Sequence, residues 1–269
     1  MYIKDLDPTY GWEDCPESIR KKVENILIFF QQSLKNNLIG FYLHGSLTMN
    51  CFTIINSDID FLAVVKQKLT TPQKKTIIDY LLGIDNGEAV APPEMSIVTQ
   101  NSLKNLAYPP PFELHYSSDW QDRYRSGKVD WAEQRYDADL VMHYLAISKR
   151  GICFYGKPIK EIFPEIPREM CIASIINDLN WMSERSEPLR ISYIVLNPCR
   201  ALAFLNEGIF LSKKEGGEWA LSHLPPEFSK LINGALIDYQ TGTTIYPPEA
   251  YSLKIFMNFT KKEIERLSK

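Results

Sequence analysis

No two of the five cysteines (Cys15, Cys51, Cys153, Cys171 and Cys199) stand in C-x-x-C spacing, and their number is odd. The four histidines, His44, His115, His143 and His223, are equally scattered. A disulfide framework or a zinc site needs paired or clustered ligands, so neither is expected and all five thiols are expected to be reduced and structural. Long apolar runs are missing too: the longest, Ile26 to Phe30 and Ile59 to Val65, fall far short of the roughly 20 residues of a membrane helix. The opening stretch carries Asp5, Asp7 and Glu13 and lacks the apolar region of a signal peptide, so no membrane partner and a cytoplasmic location are expected. There is no excess of positive charge. With 30 Lys and Arg against 33 Asp and Glu, a net charge of -3 and a pI near 5.9, the chain does not fit a general nucleic-acid binder, which needs clustered cations to neutralise phosphates. A small cationic partner suits it better. No internal repeat or low-complexity stretch is visible.

What is present is ordinary globular composition, 45% hydrophobic and 23% charged, over a length that allows one large core or two modest ones. The helix and strand signals favour two. Glu17 to Lys35 places Ile19, Val23, Ile26, Leu27 and Phe30 on one face of a helix that Asn36-Asn37 ends. Leu38 to Leu43 reads as a buried strand, followed by a turn at His44-Gly45-Ser46 and a short helix around Leu47 to Cys51. Asp58 to Val65 is a second strand and Glu94 to Thr99 a third, with a helix opened by Thr71 as N-cap and Pro72 between them. Strands alternating with helices give an α/β (α+β) domain with a mixed sheet, expected over 1–160. Pro158, Pro164 and Pro167 mark the changeover. Beyond it only helices are expected: Glu169 to Ser186, Ile191 to Glu207, Glu218 to His223, Pro226 to Asp238 and Pro248 to Leu267, after an earlier one at Asp137 to Lys149. The expected second domain, 161–269, is therefore an all-α bundle.

The chemistry concentrates between residues 44 and 94. Asp58 and Asp60 stand two apart on a strand, so both carboxylates project to one face with their backbones about 7 Å apart. Like charges that approach to about 4 Å repel by about 4 kcal/mol at an effective dielectric of 20. A divalent cation relieves this, and Mg2+ takes one or two carboxylates with nucleotide phosphates and waters for the remainder. Gly45 permits close approach of the backbone, and amides of the turn with the Ser46 hydroxyl can bind a phosphate. Glu94, at the start of the third strand, can supply a third carboxylate as a metal ligand or accept a proton as general base. Taken singly, a D-x-D is most often an exposed edge and a Gly-Ser a plain turn. Together, on consecutive strands and beside the apolar run Phe61 to Val65, they form a catalytic constellation.

His44-Gly45-Ser46 through Ser57-Asp58-Ile59-Asp60 resembles the G-S-x(about 10)-D-x-D motif of the nucleotidyltransferase superfamily. More of the chain is similar to one branch, the aminoglycoside (3'')(9) adenylyltransferases, which join a nucleotidyltransferase domain to a C-terminal helical bundle. Pro93-Glu94-Met95-Ser96 resembles the strand carrying that family's catalytic glutamate. Tyr108-Pro109-Pro110, Trp120 and Tyr136-Asp137-Ala138-Asp139-Leu140 follow in the family's order. The resemblance implies ATP as co-substrate, two Mg2+ ions at Asp58, Asp60 and Glu94, and nucleotide contacts from Gly45, Ser46, Ser57, Arg200, Lys213 and Tyr239. It also implies a cationic antibiotic as acceptor, spectinomycin favoured over streptomycin, with Trp120 walling its pocket. The family's acceptor-binding aspartate falls at Ser186 here, and a one-residue shift brings Glu187 into that role. A monomer conferring resistance is the implied protein. Two alternatives stand beside it: a nucleotidyltransferase acting on a protein or another small molecule, and a catalytically inactive nucleotide-binding module.

Overall fold

The computed structural model describes residues 8–85, 90–184, 189–244 and 248–269. Ser186 and Glu187, with the end of the helix expected to reach them, lie outside the described residues. The chain divides into two compact units at Pro167 and Arg168.

The N-terminal unit is built on a five-stranded sheet. Helix α1 (Glu17–Leu34) precedes β1 (Leu38–Leu43), which pairs antiparallel with β2 (Ile59–Val65). Helix α2 (Thr71–Ile84) returns the chain to β3 (Pro93–Thr99), parallel to β2 with Asp60 opposite Glu94. Past α3 (Gln100–Lys104), short β4 (Pro111–Phe112) pairs with β6 (Arg135–Tyr136), and β5 (Leu114–Tyr116) adds to the free side of β3. Between them lies α4 (Gln121–Arg125); after them come α5 (Leu140–Arg150), β7 (Ile152–Gly156) and α6 (Ile159–Ile162). The order β5-β3-β2-β1-β7 makes a mixed sheet, only its β2-β3 pair being parallel.

The strand alternation divides the core. Phe41, Ile59, Phe61, Ala63 and Met95 bury one face against α1 and α2 residues such as Phe30 and Ile77. Phe30, Phe41 and Phe61 meet there at ring separations of 4.7 to 5.6 Å, a range in which aromatic pairs add to their burial. Tyr42, Leu62, Val64 and Val98 bury the opposite face with Leu140, Tyr144 and Ile147 of α5 and Ile162 and Phe163 at α6. By the two-residue period, Asp60 and Glu94 belong to this second, α5-covered face.

Several local expectations shift. Thr70, not Thr71, caps α2, because Thr70 and Gln73 bond reciprocally in a capping box. The helix expected from Asp137 begins at Leu140, since Arg135-Tyr136 is drawn into β6. The helix expected around Leu47 to Cys51 is a single 3-10 turn, Gly45–Thr48. Strand β7 carries no clean alternation and was not expected; it forms by pairing along β1. All five cysteines are free, and four of them are buried.

The C-terminal unit is helical: α7 (Arg168–Glu184), α8 (Ile191–Glu207), α9 (Lys213–His223), α10 (Ser229–Thr241) and α11 (Ala250–Leu267). Helix α8 is its centre, and Val195, Leu196 and Cys199 are fully buried among residues of α9, α10 and α11. The start of α9 is five residues earlier than expected, because Ser212 and Glu215 form a second capping box. A Cβ at Gly216 would lie 2.7 to 2.8 Å from the backbone and Cβ of Arg200, so only glycine lets α9 approach α8 so closely.

Asp238 of α10 caps α8 from outside. It is 1% exposed and accepts from the Ser192 amide at 3.1 Å, the Thr244 hydroxyl at 2.7 Å and Arg190 at 3.4 Å. Burial alone would raise its pKa, but these donors and the Arg190 charge hold it below the ordinary aspartate value. Its stabilisation is therefore present above the unfolded pKa and is lost as pH falls through the lower folded value. Asp238→Ala strands buried donors and is expected to cost about 3 kcal/mol, read as a lowered denaturant midpoint at neutral pH. A loss under about 0.5 kcal/mol, the range of an ordinary surface change, would show that solvent replaces the carboxylate. Among the described residues, no helix is long and apolar enough to cross a membrane.

Candidate active site

Strand β1 runs into His44, whose amide donates to the Asp60 carbonyl at 3.0 Å and extends the β1-β2 ladder by one residue. Gly45 follows with φ +69°, in the left-handed region that disfavours a Cβ. A Cβ there would overlap the carboxylate of Asp60. The glycine of the turn and the second aspartate of D-x-D are thus in contact, which the linear sequence does not state. Ser46 puts its hydroxyl oxygen in a buried position with no protein partner, while its carbonyl accepts the amides of Met49 and Cys51 at 3.2 Å each. A buried hydroxyl without a partner costs free energy unless a ligand satisfies it.

Strand β2 begins at Ile59, one residue later than expected, so Asp58 lies just before it and Asp60 within it. Both are half-buried, as is Glu94. In-register residues on adjacent strands have backbones about 5 Å apart, so Asp60 and Glu94 bring two carboxylates to neighbouring positions. The Ser57 hydroxyl accepts from the Thr53 amide at 2.9 Å and bonds its hydroxyl at 3.4 Å, holding the loop that delivers Asp58.

Around these carboxylates lies a second group that the sequence reading left unassigned. His143, on α5, bonds Asp139 through Nε2 at 3.1 Å. Burial acts to lower its pKa, but the Asp139 bond and the charges of Asp139, Glu94 and Asp137 raise it to about 9. Its ring is 4.9 Å from that of His44. His44 is 4% exposed and is held well below its ordinary pKa by burial and by the His143 charge, against the pull of Asp139. His115 is lowered to about 4 by the same two causes and bonds Ser96 through Nδ1 at 3.0 Å. Asp137 is raised, first by burial and then by Asp139, whose amide donates to it at 2.9 Å. The signal in the sequence was the i, i+4 spacing of Asp139 and His143, legible only once α5 is known to begin at Leu140.

His143 is expected to titrate by NMR well above 6.5 in the ligand-free protein, and Asp139→Asn should bring it down towards 6.5 or lower. Because the folded pKa is raised, the stability this contributes is full below 6.5 and fades as pH rises through about 9. Wild type and Asp139→Asn should therefore differ most in melting temperature below pH 6.5 and converge above about 9. A His143 that titrates at 6.5 in both proteins contradicts the arrangement.

Trp120 lies beyond this group, half-buried, with ring contacts to His115 at 5.5 Å, Tyr124 at 5.8 Å and Phe112 at 6.4 Å. The remaining expected site residues belong to the helical unit. Lys213 is the first residue of α9, its ammonium 5.0 Å from the ring of Tyr193. Arg200 sits on α8 where Gly216 packs, and Tyr239 on α10 packs partly buried against the core of that unit. The N-terminal unit thus brings Gly45, Ser46, Asp58, Asp60 and Glu94 onto two strand ends and one turn.

The helical unit carries a sequence match of its own. Residues 161–262 match the model described as aminoglycoside adenylyltransferase, C-terminal domain. The helical unit is thus similar to the C-terminal domain of aminoglycoside adenylyltransferases. Over nearly its whole length the chain is 26% identical to the spectinomycin 9-adenylyltransferase of Staphylococcus aureus, across 235 residues that make up 86% of this chain and 89% of that protein. It is 21% identical over 254 residues to the aminoglycoside (3'')(9) adenylyltransferase of Klebsiella pneumoniae, covering 93% of this chain and 96% of that one. Among solved structures, it shares its fold with an enterococcal spectinomycin adenyltransferase, AAD(9), crystallised with ATP and spectinomycin. That match has a TM-score of 0.79 at 22% identity and covers 91% of this chain and 99% of that one. The resemblance read from the motifs is borne out, as is the mixed-sheet unit followed by a helical one. Its relatives are aminoglycoside nucleotidyltransferases, the enzyme class expected of it.

Proposed function

We propose that this chain transfers AMP from ATP to a hydroxyl of an aminoglycoside-type antibiotic, with spectinomycin ahead of streptomycin, and so confers resistance. The observation that carries the reading is the contact of Gly45 with the Asp60 carboxylate, beside an in-register Glu94 and a Ser46 hydroxyl that lacks a protein partner. We take residues 1–160 as the nucleotidyltransferase domain and 161–269 as its helical companion.

The donor set fits Mg2+. Mg2+ takes one or two carboxylates and draws its other ligands from phosphates and water. Asp58 and Asp60, with Glu94 as a third oxygen donor, are the residues to hold it. Bound there, Mg2+ neutralises phosphate charge and the charge growing on the leaving pyrophosphate. Ser46 donates its hydroxyl proton to a phosphate oxygen, and the absence of a side chain at Gly45 leaves room for that phosphate. Glu94 accepts the proton of the acceptor hydroxyl as that oxygen attacks the α-phosphorus and the bond to pyrophosphate breaks. Ser57 fixes the loop before Asp58. In the helical unit, Lys213 and Arg200 serve as phosphate-directed cations and Tyr239 as a nucleotide contact, the roles the resemblance implies.

The test is incubation with ATP, Mg2+ and either spectinomycin or streptomycin, followed by mass spectrometry of the drug. An adduct of one AMP on spectinomycin is expected. Hydrolysis of ATP with no adduct on any of a panel of aminoglycosides would remove the antibiotic from the reading and leave a nucleotidyltransferase with another acceptor.

A further inference from the structure

Trp120 lies on an open depression of about 510 Å3 in the N-terminal unit, lined also by Phe112, His115, Arg123, Arg135 and Asp137. Asp137 on its lining accepts from the Asp139 amide, and Asp139 bonds His143, whose ring is 4.9 Å from that of His44. An indole facing such a space is ordinarily a platform for a cation. Here the platform is already used. The Arg123 guanidinium stands over the Trp120 ring at 4.9 Å and that of Arg135 at 5.3 Å, while Phe112, His115 and Tyr124 take up its other contacts.

The two arginines differ in what else they hold. Arg135 bonds Glu133 at 2.9 Å and the Asp130 carbonyl at 3.1 Å, so its charge is locally neutralised and its position fixed. Arg123, exposed on α4, brings its charge to the depression that Asp137 also lines. A ligand entering with its own guanidinium meets a like charge where the ring would otherwise attract it. A ligand rich in hydroxyl and ether oxygens meets five N–H donors.

We propose that Arg123, seated on Trp120, sets the charge selectivity of the acceptor, denying the ring to guanidinium-bearing ligands and favouring oxygen-rich ones that accept hydrogen bonds. The inference deepens the proposed antibiotic adenylyltransferase activity and rests on it for the acceptor class. Its test reads binding as well as turnover, so that the two can fail separately.

Calorimetry at low ionic strength measures Kd for streptomycin, which carries guanidinium groups, and spectinomycin, which does not, with wild type, Arg123→Ala, Arg123→Lys and Arg123→Glu. Arg123→Ala is expected to shift the Kd ratio towards streptomycin by about fivefold, the scale of one exposed cation–π contact. Arg123→Glu should shift it further, and Arg123→Lys, which keeps the charge, should stay within about threefold of wild type. In turnover the same shift should fall on KM more than on kcat. A ratio unmoved in Arg123→Ala overturns the proposal, as does Arg123→Lys behaving like the alanine variant. If wild type binds neither drug, the depression is not an acceptor site and the proposal also falls. If wild type binds spectinomycin but transfers no AMP, the proposed activity fails while the binding ratios still decide the role of Arg123.

Discussion

Asp60→Asn is expected to abolish AMP transfer while leaving the protein as stable as wild type or more so, and Asp58→Asn should do the same. The two effects have opposite origins. Asp60 stands in register with Glu94 and against Gly45, so its negative charge is held near another carboxylate at half-buried positions. Like charges about 4 Å apart cost about 4 kcal/mol at a dielectric of 20, and asparagine removes that cost without changing shape. What it also removes is an anionic oxygen for Mg2+, which neutral amides replace poorly. Pyrophosphate release should drop to below about a tenth of the wild-type kcat, the minimum loss expected when a metal ligand goes. The melting temperature without ligand should hold or rise, and the additional rise on adding ATP with Mg2+ should shrink. Retention of more than that tenth in either variant would sink the metal assignment. Lost activity together with a lowered melting temperature would instead mark these carboxylates as structural.

The second large effect separates base from ligand. Glu94→Gln keeps the side-chain shape and its place opposite Asp60 but cannot accept a proton. Binding of ATP with Mg2+, measured by calorimetry, should survive while turnover falls by about a hundredfold or more, the usual contribution of a positioned general base. The Glu94 charge is one of those that raise the His143 pKa, after the bond and charge of Asp139. Loss of ATP affinity in step with activity would assign Glu94 chiefly to the metal and leave the base to another group.

What the sequence determined by itself was everything that depends on spacing along one element. The two-residue period of β2 and β3 placed Asp58, Asp60 and Glu94 on strand ends, and the absence of paired cysteines left five free thiols. Amphipathic runs gave α1 and α8 almost to the residue, because a 3.6-residue apolar stripe is a local signal. The first half read as α/β and the second as helical for the same reason. Elements that exist by pairing with distant chain were out of reach: β7 forms along β1, and β4 with β6 draws Tyr136 out of the expected helix. So was anything fixed by two elements meeting. Only the fold puts Gly45 against Asp60 and His143 beside His44. It alone sets two arginines on Trp120, a ring that the family resemblance assigned to the acceptor pocket. Side-chain charges and ring faces carry no mark of their partners in the linear chain. Whether an aromatic surface is open to a ligand is decided by which cations the tertiary structure has already placed on it.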